Sequence, residues 1–148
     1  MTENIARMLD QAGAGSRIVL WEQNLRLARR VSLGARLAGR YGREMVVIGF
    51  AFHGGSYNPV GATGDPPGEQ LAQPSSPGSL EWACHSTGIP RFILDLRGAM
   101  ASPEASAWLA QPLPMRNYVS RIPDPILVGQ YFDALIYFDH TTPSKSLP

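Results

Sequence analysis

The sequence is poor in the residues that usually announce chemistry. One cysteine, Cys84, among 148 residues excludes an internal disulfide framework and fits a reducing compartment. No C-x-x-C or H-x-x-x-H spacing occurs, and adjacent Cys84 and His85 point to different sides of a helix. Structural zinc held by His53, Cys84, His85, Asp139 or His140 is therefore not expected, and no cofactor is. No G-x-S-x-G elbow presents a nucleophilic serine. Charged residues are only 17% of the chain and nearly balanced, 13 basic against 12 acidic. Without a basic stripe, nucleic acid is not an expected partner, and the densest cluster, Arg26, Arg29 and Arg30, reads as a solvated helix face. No run approaches the ~18 apolar residues of a membrane span, and the first twenty residues hold no signal-like apolar stretch. A soluble cytoplasmic protein is the expectation.

What is present describes one folded domain over residues 1–148. Apolar residues make up 44% of the chain, enough for a single core. Ile5, Met8, Leu9 and Ala12 share a helical face, with Thr2 at its start and Gly13 at its end. "RIVLW" (17–21) reads as a buried strand. A helix over 32–42 follows, with Ser32 as N-cap, then the strand run "MVVIGFAF" (45–52) closed by "HGGSY", a turn needing positive φ. Residues 58–78 carry five prolines and read as one long loop of the kind that serves as a lid. A short helix to Gly88, a strand "RFILDLR" (91–97), a helix opened by Ser102, Pro103 and Glu104, a short strand at "MRNYV" (115–119) and a strand "YFDALIYFD" (131–139) complete the chain, with a loose tail. This alternation predicts a layered α/β fold, with a mostly parallel sheet and helices on both faces.

Parallel sheets bind ligands at the carboxyl ends of their strands. Here those ends are Trp21–Asn24, His53–Tyr57, Asp95–Arg97 and Asp139–Thr142, and together they line one expected crevice. His53, Ser56 and Asp95 have the residue types of a hydrolytic triad, but the simpler reading of Gly54, Gly55 and Ser56 is a turn. Asp95 and Arg97 share one face of an extended strand, where they form either an edge ion pair or part of a site. Cys84 reads as a small core residue.

The blocks 1–24, 39–58, 91–97 and 131–148 together resemble, in order and spacing, the C-terminal half of the erythromycin esterase family. The resemblance implies metal-independent hydrolysis of a macrolide lactone or another carboxylic ester. It implies catalytic histidines and glutamates from an N-terminal G-E-x-x-H-G element and from a W-x-H-N-x-H motif after a strand. On this sequence the second motif falls on Trp21–Arg26: Trp21 and Asn24 match, while Gln23 and Arg26 stand where the two histidines would be. Gln23 has no titration near neutrality, and Arg26 stays protonated at working pH, suited only to holding an anion. The first element has no counterpart, which implies a fragment, a natural half-domain, or a half supplied by a partner. The reading is a catalytically impaired half-domain or pseudoenzyme that keeps a ligand crevice. Trp21, Gln23, Asn24, Arg26, Ser56, Tyr57 and Arg97 would contact the ligand, with His53 and Glu22 as the remaining candidate bases. The alternative is an active hydrolase completed by a partner chain. A half-sheet also leaves strand edges that homo-oligomerisation, or docking on an N-terminal half, would cover.

Overall fold

The computed structural model describes residues 1–58, 68–116 and 124–145. Helix α1 (Thr2–Ala12) ends at Gly13, whose φ of 89° suits a glycine, but it buries Ile5 and Ala6 and leaves Met8 exposed. Then come α2 (Asn24–Leu27), α3 (Ser32–Tyr41), β1 (Ile48–Tyr57), β2 (Gln70–Ala72), α4 (Leu80–His85), β3 (Arg91–Asp95) and α5 (Leu96–Ala99). The chain continues through α6 (Pro103–Leu109), β4 (Leu113–Met115), β5 (Asp124–Ile126), α7 (Val128–Tyr131) and β6 (Ala134–Thr141). Two helices start as their sequences dictate. Ser79 Oγ accepts the Trp82 N–H at 3.1 Å, and Ser102 Oγ accepts the Ala105 N–H at 3.4 Å with Pro103 in the first turn. Ser32 is not a cap, because α3 takes Val31 in that place.

The sheet departs from the expected parallel arrangement. Its order is β2-β1-β6-β3, and only β1 and β6 run parallel, whereas β2 lies antiparallel to β1 and β3 antiparallel to β6. Strands β4 and β5 form a separate antiparallel pair. The cause is β2, hidden in the stretch read as loop. It turns the chain back against β1, so the next long strand, β3, enters the sheet reversed. Residues 59–67 of that stretch, residues 117–119 of the "MRNYV" strand and residues 146–148 of the tail lie outside the described residues.

The predicted strand 17–21 is not formed. Val19 is 90% exposed and Trp21 84% exposed, and neither pairs with the sheet. Instead the Asn24 side chain serves the open edge of β1: its Nδ2 donates to the Phe50 carbonyl at 2.6 Å, and its Oδ1 accepts the Phe50 N–H at 2.9 Å. One amide group thus replaces a neighbouring strand at this position. The "HGGSY" stretch is not a turn but the end of β1. Gly55 there has φ 118°, and a Cβ would sit 2.2 Å from the Thr141 carbonyl oxygen, so only glycine allows β1 to approach β6.

The core lies on one face of the sheet, where Ala51, Leu135 and Tyr137 pack with Leu80, Leu96, Val128 and Phe132. Asp133 is set among these apolar residues, just ahead of β6. It accepts the Val47 N–H at 2.7 Å, Arg29 Nη2 at 2.7 Å and Arg97 Nε at 2.7 Å. Arg29 also donates to the carbonyls of Gly42 and Met45, so it is a structural clamp and not part of a solvated face. Arg97 pairs with Asp133, not Asp95. The chain turns helical at Leu96, and Asp95 Oδ1 caps α5 by accepting the Gly98 N–H at 3.1 Å.

Burial alone pushes the Asp133 carboxyl up, but hydrogen bonds from Arg29, Arg97 and Val47 outweigh it and hold it below the ordinary 3.8. The stability from this depressed group is present above the ordinary value and lost as pH falls through the folded one. Asp133→Asn should cost about 3 kcal/mol, because two guanidinium groups lose their partner. It should also flatten the acid limb of a stability-against-pH curve measured by urea denaturation. A loss below about 0.5 kcal/mol would remove the clamp from this account.

Candidate functional site

The parallel register of β1 and β6 pairs Phe52 with Phe138 and Gly54 with His140, which sets His53 level with Asp139 on the core side. His140, next along β6, falls on the other side by alternation. Helix α4 then brings His85 over the same end of the sheet. Its Nδ1 lies 2.6 Å from Asp139 Oδ1, and the same oxygen accepts the Tyr137 hydroxyl at 2.7 Å. The His53 ring stacks on His85 with centroids 3.7 Å apart and planes 7° from parallel. His53 Nδ1 lies 2.5 Å from Ser75 Oγ, and the His53 carbonyl accepts the Ser75 N–H. Arg116 donates to the carbonyls of His53 and Gln73, adding a cation beside the pair.

The electrostatics follow from these contacts. Hydrogen bonds from His85 and Tyr137 hold the Asp139 carboxyl below its ordinary value, so it stays an acceptor. Asp139 engages Nδ1 of His85, whose side chain is 44% exposed. Burial, followed by the stacked His85, lowers His53, which Asp139 only partly offsets, so His53 is neutral at pH 7. Beneath them Glu81 is fully buried and accepts the Arg116 N–H at 2.7 Å. Burial raises its carboxyl above the ordinary value. Burial and Glu81 together push the Cys84 thiol up to about 11, which leaves a buried, unreactive core residue.

The sequence-derived candidates are distributed among three places. His53 is in the cluster, and Ser56 and Tyr57 continue β1 beyond it, where Ser56 is buried. Asp95 pairs with Ala134 at the opposite end of β6, because β3 runs antiparallel, so His53, Ser56 and Asp95 do not meet. Arg97 lies at that far end too, beside Arg29, Arg43 and Gly42 around a hollow of about 320 Å³. Glu22 and Arg26 pair with each other at 3.3 Å, Glu22 Oε1 accepts the Gln23 N–H, and Trp21 packs on Phe50 at 5.3 Å. Among the described residues, no three His, Cys, Asp or Glu side chains converge as a metal would require. No helix among them is long and apolar enough to cross a membrane.

His85, Asp139 and Tyr137 were not legible as a unit. His85 and Asp139 stand 54 positions apart, and nothing local links them. Asp133 and Glu81 carried a signal, since each is a lone carboxylate inside an apolar run and such groups are buried only when paired.

The family model for erythromycin esterase matches residues 1–141. A Bacillus cereus protein of known crystal structure is 23% identical, with a TM-score of 0.66 over 79% of this chain and 32% of its own. A succinoglycan biosynthesis protein is 17% identical, with a TM-score of 0.68 over 88% of this chain and 34% of its own. At these identities the likeness is one of fold, and this chain spans about a third of the length of either. No curated protein matches.

If the stacked rings and Asp139 set the His53 titration, its midpoint should lie below 6.5. His85→Ala should raise that midpoint and Asp139→Asn should lower it further, read by NMR of the imidazole ring protons. An unchanged midpoint in both variants would exclude the coupling.

Proposed function

We propose, from the premise that this chain belongs to the erythromycin esterase family, that it is an esterase-like half-domain whose inherited base positions are empty and whose remaining acid–base chemistry rests on His85. The observation that carries this reading is the Asp139–His85 contact at 2.6 Å, in which the histidine side chain remains 44% exposed. The stretch 21–26 is occupied with structural work. Asn24 closes the edge of β1, while Glu22 and Arg26 neutralise each other.

In this reading His85 Nε2 takes a proton from water while the water oxygen attacks the ester or lactone carbonyl. Asp139 stabilises the imidazolium that forms. The alkoxy bond then breaks and the same proton passes to the departing oxygen, leaving a carboxylic acid and an alcohol. His53, stacked on His85 and kept neutral, does not oppose the charge that forms on His85. No step calls on a metal. The substituted positions Gln23 and Arg26 favour the second reading, a catalytically silent ligand-binding module. Completion by a partner carrying the family's other catalytic element belongs instead to the active-hydrolase reading.

The test is mass spectrometry of the chain incubated with macrolides and simple aryl esters, scored for gain of one water over a no-protein control. Hydrolysis reduced roughly 100-fold or more by His85→Ala and unchanged by Glu22→Gln is the expected result. Equal turnover in His85→Ala would remove His85 as the base. No hydrolysis by the wild type anywhere in the panel would establish the silent module instead.

A further inference from the structure

Among the described residues, the buried core lies against one face of the sheet. Strand alternation places Ile48 and Phe50 of β1, Ile136 and Phe138 of β6, and Ile93 of β3 together on the face opposite the core. Ile48, Phe50, Phe138 and Ile93 are all exposed, Ile93 to 70%, and Trp21 extends the patch by packing beside Phe50. A continuous apolar sheet face of this kind is costly to leave in water and marks an interaction surface.

Its charges identify the occupant. Arg91 and Asp95 flank Ile93 on the same face, two residues to either side, and both are exposed. Arg91 forms no ion pair among the described residues, and Asp95 uses only Oδ1, to cap α5. A basic and an acidic group set symmetrically about an apolar centre are complementary to their own copy. A two-fold axis through Ile93 brings Arg91 of each chain to Asp95 of the other, while the isoleucines meet on the axis. We propose that this face is a homodimer interface, formed by two copies of the chain related by a two-fold axis near Ile93. The interface lies across the sheet from His85, so it is separate from the site described above.

Sedimentation equilibrium decides the matter. The wild-type chain should run at twice its 16.1 kDa mass. Arg91→Asp makes the patch wholly acidic and Asp95→Arg makes it wholly basic, so each variant alone should be monomeric. An equimolar mixture of the two should recover the dimer, and circular dichroism shows whether each variant is folded, which matters because Asp95 caps α5. Ile93→Lys, which keeps the cap, should also give a monomer. A wild-type monomer at the highest attainable concentration would overturn the proposal and leave the face to a different polypeptide. Dimers that persist unchanged in both charge variants and in Ile93→Lys would overturn it as well, by moving the contact elsewhere.

Discussion

The fold depends on one carboxylate. Asp133 stands at the entry of β6 and receives the Val47 N–H from the entry of β1, together with Arg29 and Arg97. A buried carboxylate without these donors would be strongly unfavourable, so the three elements that supply them are drawn to one point. That contact aligns the two strands of the single parallel pair. From this alignment it follows, six residues further along each strand, that His53 and Asp139 stand level and that His85 of α4 can reach both. A structural ion cluster at one end of the sheet thereby positions the titratable cluster at the other.

The two clusters divide the labour that the family resemblance had assigned to one stretch. Residues 21–26 keep a tryptophan and an asparagine, but here these residues hold the edge of β1: Trp21 lies on Phe50, and Asn24 supplies the donor and the acceptor that a missing strand would have supplied. Neither Gln23 nor Arg26 takes part in that contact: Arg26 pairs with Glu22, and the Gln23 N–H donates to the same carboxylate. The proposed base, His85, lies on a different element and has a different partner, Asp139.

Local chemistry was readable from sequence and long-range geometry was not. Gly13 and Ser102 stand at helix ends because their backbone and hydroxyl properties act over three or four residues, although Ser32, read the same way, lies inside α3 with Val31 before it. The three long strands were visible as apolar runs. The direction of β3 was hidden because it depends on β2, three residues inside a stretch rich in proline and glycine that pair antiparallel with β1. The apolar run 17–21 has the composition of a strand but no open partner, since an asparagine side chain occupies the edge it would need. Asp95 and Arg97 were read as facing each other because the strand was assumed to continue through them. The chain turns helical at Leu96, which separates the two.

The proposed chemistry requires Asp139 to fix His85 with Nδ1 protonated and Nε2 free to accept a proton. Long-range ¹H–¹⁵N correlation of the histidine rings, at a pH where they are neutral, reads this directly. The expected result is a protonated Nδ1 for His85 and an unprotonated Nε2, with that preference lost in Asp139→Ala. A His85 ring protonated at Nε2, or one whose tautomer is indifferent to Asp139, would contradict it.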